Sequence, residues 1–185
     1  MTTSYAVLLR GINVSGSTQV PMADLRETLG GLGLEAVRTH LRSGNAVFRA
    51  PGGGRQGDDA LRARIEAALG ERFGSAIGCV VRDAAYLETV VARCPFDAEA
   101  LEGRQLHVTY FSAPVDPARL ADLDPGAYLP EAFRLGDRAL YLLAPDGVGR
   151  SKLAAALGRP GRYPGVVATS RNWNTAVRLM ELTHG

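Results

Sequence analysis

A chain of 185 residues, 46% apolar and 22% charged, has ordinary globular composition and the length of one large domain or two small halves. Its net charge of +2 is too small to argue for nucleic acid by itself, and no stretch approaches the roughly 18 apolar residues of a membrane helix. Met1-Thr2-Thr3-Ser4 lacks the basic and apolar regions of a secretory leader, and Cys79 and Cys94 form no C-x-x-C pair, so both read as small hydrophobes in a reducing, cytoplasmic setting. Of the 21 basic residues only Lys152 is a lysine. A lone ammonium among guanidiniums fits either a site that needs a compact charge or simple survival by chance.

Tyr5 to Ile12 is an apolar run of strand length, followed by a small, polar loop from Asn13 to Gln19. Pro21 suits the first turn of a helix whose apolar face is Met22, Leu25, Leu29 and Leu32, ended by Gly30, Gly31 and Gly33. Two strands follow, Ala36 to Leu41 and Asn45 to Ala50, linked by the turn Arg42-Ser43-Gly44-Asn45. Pro51 to Gly57 reads as a flexible surface loop, and Asp58 or Asp59 as the cap of a helix with Leu61, Ile65, Ala68 and Leu69 inward. Ala76 to Val81 is a fourth strand, and Asp83 caps a helix that Pro95 stops.

The second half opens with a strand, Leu106 to Phe111, and a short helix behind Asp116-Pro117 carrying Leu120 and Leu123. A hairpin turns at Gly136-Asp137 between Ala132–Leu135 and Arg138–Ala144. Gly147 to Lys152 leads into a helix over Leu153–Leu157, and an extended piece at Gly165–Ala168 precedes the last helix, capped by Ser170. The expected class is α+β. Two βαββαβ units of ferredoxin-like order, residues 1–95 and 96–185, the second with a C-terminal helix, pack into one compact unit.

Leu9-Arg10-Gly11-Ile12-Asn13-Val14, Ser43-Gly44-Asn45, Pro145-Asp146-Gly147 through Lys152-Leu153, and Arg171-Asn172-Trp173-Asn174-Thr175 stand out in order and spacing. Together they resemble the signature segments of domain of unknown function family 1697. That resemblance spans nearly the whole chain. It implies an α+β fold of two ferredoxin-like subdomains and no activity.

In a ferredoxin-like sheet, strands one and two run parallel on either side of strand three. The loop after strand one and the turn after strand two then share one edge, which brings Arg10, Asn13, Arg42 and Asn45 together. Backbone N–H groups of a glycine-rich loop and flanking arginines suit phosphate or carboxylate; glycine and asparagine also serve plain tight turns. Gly147, Gly149, Ser151 and Lys152 lie in a strand-to-helix loop, but their spacing matches neither a Walker A loop nor a dinucleotide fingerprint. A turn with Ser151 as helix cap explains them equally. On the last helix, Trp173, Ala176, Val177 and Met180 form the expected buried stripe, and Arg171, Asn174, Thr175 and Arg178 a second face fit either for an anion or for ion pairs between the halves. His40, His107 and His184 have no nucleophile or metal partner by spacing, so neither a metal nor a cofactor is expected.

Three functions fit these features. The first is binding of a phosphate-bearing ligand, nucleotide or nucleic acid, at the glycine- and arginine-rich loops. The second is a small hydrolase resembling acylphosphatases, with Arg10 holding phosphate and Asn13 or Asn45 orienting water. The third is a module that binds a protein partner through an exposed sheet edge or apolar patch.

Overall fold

The computed structural model describes residues 1–52 and 54–185, with side chains for all of these except residues 54–56. The chain divides into two units, residues 1–89 with 178–185, and residues 90–177. Among the described residues no helix is long and apolar enough to cross a membrane. Each unit contains one four-stranded antiparallel sheet, so the α+β class expected from the sequence is the class observed.

In the first unit the strands are β1 (Thr2–Leu9), β2 (Glu35–His40), β3 (Asn45–Pro51) and β4 (Cys79–Asp83), in the sheet order β2-β3-β1-β4. Helices α1 (Met22–Gly31) and α2 (Gly54–Phe73) lie between β1 and β2 and between β3 and β4. Alternation sends Tyr5, Val7 and Leu9 of β1 to one face, where Leu25 and Leu29 of α1 and Leu61, Ile65 and Leu69 of α2 bury them. Tyr5 stacks on Phe48 of β3 at a centroid distance of 5.7 Å. The loop expected over Pro51–Gly57 includes Gly53, which lies outside the described residues, and the helix already runs from Gly54. Asp58 therefore sits inside α2 and does not cap it. It is 2% exposed and faces Arg82 of β4, itself 1% exposed, at 3.6 Å, because a carboxylate buried this deeply needs a cation. Asp83 does cap the following helix α3 (Ala84–Ala92), accepting from the Tyr86 N–H at 2.8 Å.

In the second unit the strands are β5 (Leu106–Phe111), β6 (Ala132–Gly136), β7 (Ala139–Leu143) and β8 (Ala168–Asn172), in the order β6-β7-β5-β8. Helix α4 (Lys152–Leu157) precedes β8, and α5 (Trp173–His184) follows it, its residues from Arg178 onward belonging to the first unit. Where a short helix was expected, two 3-10 turns occur, Pro117–Leu120 and Pro125–Tyr128, capped by Asp116 and Asp124. Two prolines within nine residues break any longer helix, yet Leu120 and Leu123 still reach the core with Phe111, Leu140, Leu142, Leu153 and Leu157. Arg162 locks this region, gripping both Asp122 carboxylate oxygens at 2.7 and 3.0 Å and the Ala156 carbonyl at 2.8 Å.

The two sheets repeat each other in the pairings of their central strands, β1 with β3 and β4, and β5 with β7 and β8. Leu9 donates its N–H to the Gly44 carbonyl at 2.8 Å and Arg10 to that of Gly78 at 2.9 Å; Phe111 and Ser112 donate likewise to Arg138 and Val167 at 2.9 and 2.8 Å. Pairing registers then equate Leu9 with Phe111, Gly44 with Arg138, and Arg82 with Arg171. They also equate Asp83 with Asn172, and Asn172 caps α5 by accepting from the Thr175 N–H at 2.9 Å.

Two predictions follow from burial. Gly44 has φ +85°, and an added Cβ would lie 2.6 Å from Ile12 Cδ1 and 2.8 Å from Leu9 Cβ. Gly44→Ala is expected to destabilise the protein by roughly 2–4 kcal/mol, read by urea denaturation. Burial lowers the pKa of His107, and that of His40, where Arg178 adds to the effect. The unfolded imidazoles therefore bind protons more readily than the folded ones. Stability is full above the ordinary pKa of about 6.5 and falls as pH drops below it. Denaturation midpoints at pH 7.5 and 5.0 measure that loss, and His107→Gln should reduce it.

Candidate functional site

β1 and β2 are each antiparallel to β3, so they run parallel to each other and end on the same edge of the first sheet. Three segments meet there. They are the loop Arg10–Val20, the turn Leu41–Gly44 and the approach to β4 at Gly74–Gly78, joined by the Leu9–Gly44 and Arg10–Gly78 backbone bonds and by Thr18 Oγ1 to Ser75 Oγ at 2.9 Å.

Asn13 is the centre of this edge. Its φ of +55° is one that asparagine tolerates better than most residues. Its Nδ2 donates to the Val20 carbonyl at 2.9 Å and to the Arg42 carbonyl at 2.7 Å, and its Oδ1 accepts from the Val20 N–H at 2.8 Å. The amide thus closes its own loop and ties that loop to the β2–β3 turn. Ser17 braces the tip, accepting from the Val14 N–H at 2.9 Å and donating to the Val14 carbonyl at 2.7 Å. Asn45 is fully buried and donates to the His40 carbonyl and to Ser43 Oγ, both at 3.0 Å, holding the other side of the turn.

The arginines behave differently from the asparagines. Arg10 and Arg42 are both exposed, and neither guanidinium has a hydrogen-bond or ion-pair partner among the described residues. The segments 10–20, 41–45 and 74–78 contain no aspartate or glutamate; just past them, the Glu66 carboxylate of α2 accepts from the Cys79 N–H at 3.0 Å and pairs with Arg62. Sequence reasoning therefore placed Arg10, Asn13, Arg42 and Asn45 on one edge, and the four divide into two braces and two free charges.

The second unit shows what is particular to the first. β2 and β3 are joined across residues 41–44, four residues, whereas the equivalent β6 and β7 are joined across 137–138, only two. The longer turn is the one that carries Arg42. It also exposes Leu41, 56% accessible at φ +61°, and Val14 across the Asn13–Arg42 bond is 59% accessible. The sequence reads Leu41 as the last residue of the second strand and Val14 as part of the Leu9–Val14 segment, whereas the strand stops at His40 and leaves Leu41 exposed in the turn.

The loop at 147–152 is arranged otherwise. Gly147 has φ +83°, and Val148–Arg150 makes one 3-10 turn before Ser151 caps α4 by accepting from the Ala154 N–H at 2.8 Å. The Glu131 carboxylate accepts from the Leu153 N–H at 3.0 Å. An internal anion thus holds the position at this helix start that a phosphate would take. Gly149 and Lys152 are exposed beside it.

The Arg171–Thr175 segment departs from its expected form. Arg171 and Ser170 belong to β8, and the cap of α5 is Asn172, not Ser170. The buried positions of α5 are Thr175, Ala176, Leu179 and Thr183, displaced from the stripe read through Trp173, Val177 and Met180. The cap lies two residues later than expected, and the helix packs on the face that carries Thr175, Ala176, Leu179 and Thr183. Arg171 is 8% exposed and donates to Thr169 Oγ1 at 2.7 Å and the Ser170 carbonyl at 2.9 Å, and burial pushes its pKa down to about 10 despite the opposing influence of Tyr110. Asn174 lies over Gly103, where an added Cβ would approach it to 2.4 Å, and the Trp173 N–H donates to the Gly103 carbonyl at 3.3 Å. The segment packs the second unit together.

The chain belongs to the family described as "Protein of unknown function (DUF1697)", whose model matches residues 1–141. Its fold resembles that of a conserved bacterial protein, SP0830 from Streptococcus pneumoniae, with a TM-score of 0.78 at 22% identity over 99% of each chain. No curated protein matches it.

Asn13→Ala removes two donated and one accepted hydrogen bond at a left-handed position, and is expected to cost roughly 2–4 kcal/mol. Asn13→Gly keeps the backbone geometry and should recover about 1 kcal/mol of that loss. Paired urea denaturation curves measure both.

Proposed function

We propose that this protein binds a phosphate-bearing ligand at the edge formed by the β1–α1 loop and the β2–β3 turn. The observation that carries the reading is the pair of exposed, unpartnered arginines, Arg10 and Arg42, on a hydrogen-bonded frame that contains no carboxylate. Here the loop is already braced by Asn13, Ser17 and Asn45 through backbone and hydroxyl groups. The guanidinium forks remain free for planar, bidentate recognition of phosphate oxygens.

The neighbouring readings are weaker. Acylphosphatase-like hydrolysis needs an asparagine to orient water, and the amides of Asn13 and Asn45 are engaged in the loop and turn. RNA binding by stacking on the central strands needs exposed aromatics, and Tyr5 and Phe48 stack on each other inside the core. Glu131 already occupies the helix start behind Lys152, which makes that loop the lesser candidate.

The order β-α-β-β-α-β through Asp83, with strands arranged β2-β3-β1-β4, supports reading residues 1–95 as a ferredoxin-like subdomain. The repeated strand order supports the same reading of 96–185, with 3-10 turns in place of its first helix. Two free cysteines fit a reducing cytoplasm.

A thermal-shift titration at constant ionic strength tests the binding site. With a ligand such as inorganic phosphate or a nucleotide at about ten times its Kd, wild type should gain roughly 2–4 °C in Tm. The double variant Arg10→Ala/Arg42→Ala should lose that gain, and Lys152→Ala should keep it. A gain abolished by Lys152→Ala and untouched by the double variant would move the site to the second unit, and no gain with any phosphate compound would overturn the reading.

A further inference from the structure

We propose that Leu41 and Val14 are ligand contacts that make the Arg10–Arg42 edge selective for phosphate monoesters with an apolar organic group over inorganic phosphate; the proposal rests on the reading of that edge as a phosphate site. Large hydrophobic side chains that stand exposed are few among the described residues: Met1, Val14, Leu41, Leu129 and Val148. Two of these flank the hydrogen bond from Asn13 to Arg42, each one residue along the chain from it.

Leu41 is the more telling of the two. It holds a left-handed backbone, φ +61°, which glycine and asparagine adopt far more easily than leucine. Folding alone gives little reason for leucine there, since more than half of its surface stays in water at 56% exposure. The equivalent turn of the second unit closes the same strand pairing with two residues fewer. A shorter, polar turn therefore satisfies the same pairing. What the longer turn adds is an apolar side chain and a free guanidinium side by side. The chemistry that uses both is an anion with a hydrocarbon or ring attached: the phosphate oxygens meet Arg10 and Arg42, and the organic group covers Leu41 and Val14.

Isothermal titration of the whole protein with inorganic phosphate, phenyl phosphate and adenosine 5′-monophosphate, at one ionic strength, tests this. Wild type should bind at least one ester roughly five- to tenfold more tightly than inorganic phosphate, the gain expected from covering one aliphatic side chain. Leu41→Asn relieves the backbone, so its Tm should be unchanged or higher. It should bind inorganic phosphate as wild type does while the ester preference falls below about twofold. Val14→Ser should reduce the preference by a smaller factor. Esters and inorganic phosphate bound equally by wild type would overturn the proposal and leave the phosphate reading standing. So would a preference that survives Leu41→Asn at full size. Failure of wild type to bind any of the three would overturn the phosphate reading, and this proposal with it.

Discussion

The first unit depends on how closely the end of β1 approaches the turn between β2 and β3. The Leu9 N–H reaches the Gly44 carbonyl at 2.8 Å, and the backbone of Gly44 lies against Leu9 and Ile12 with no room for a Cβ. That contact fixes where β1 stops pairing and where the loop to α1 leaves the sheet. Asn13 then needs only a short reach to bond the Arg42 carbonyl, and the edge becomes a braced frame. Side chains that must point to solvent can do so from this frame without being required to hold it.

The second unit uses the same construction with different residues. At the position of Gly44 stands Arg138, which also has a positive φ, +52°, and is 6% exposed. At the positions of Arg82 and Asp83 stand Arg171 and Asn172, again a buried guanidinium followed by a helix cap. A strand that ends in a buried arginine and a capping side chain delivers its helix at a defined point, because the cap fixes the first turn. The repeat is one of backbone geometry and of these few polar positions. Elsewhere the equivalent pairs, such as Tyr5 with His107 or Phe48 with Leu142, share little chemistry, so no repeat is visible in the sequence.

Much of the architecture was legible because it is written in periodicity. Strand β5 coincides with its expected span, and Leu61, Ile65 and Leu69 mark the inner face of α2 as read from their spacing. Errors arose where side-chain type was taken for position. Asp58 and Ser170 have the chemistry of helix caps, but the first is a buried ion-pair partner inside a helix and the second lies in a strand. Capping residues are also good turn and strand-end residues, so their identity alone does not locate a helix start. The grouping of Arg10, Asn13, Arg42 and Asn45 at one edge was derivable, since it follows from strand order. Their division into braces and free charges was not, because it depends on which carbonyls lie within reach of which amides.

Two of the glycine-containing loops that lead from a strand to a helix, at 10–20 and 147–152, show why composition alone does not make a site. At 147–152 the helix start is completed by Ser151 and by the carboxylate of Glu131, a residue from another part of the chain. The local positive potential is spent on an internal partner, and Lys152 is left as one solvated charge. At 10–20 the polar side chains that anchor the loop are neutral, and neither Arg10 nor Arg42 of the adjoining turn has a side-chain partner among the described residues. Neutral braces hold geometry without cancelling the field of the arginines beside them, whereas a carboxylate brace would hold geometry and cancel it. A loop stabilised in the first way keeps its cations available for a ligand, and that difference, more than the number of glycines or arginines, separates the two loops.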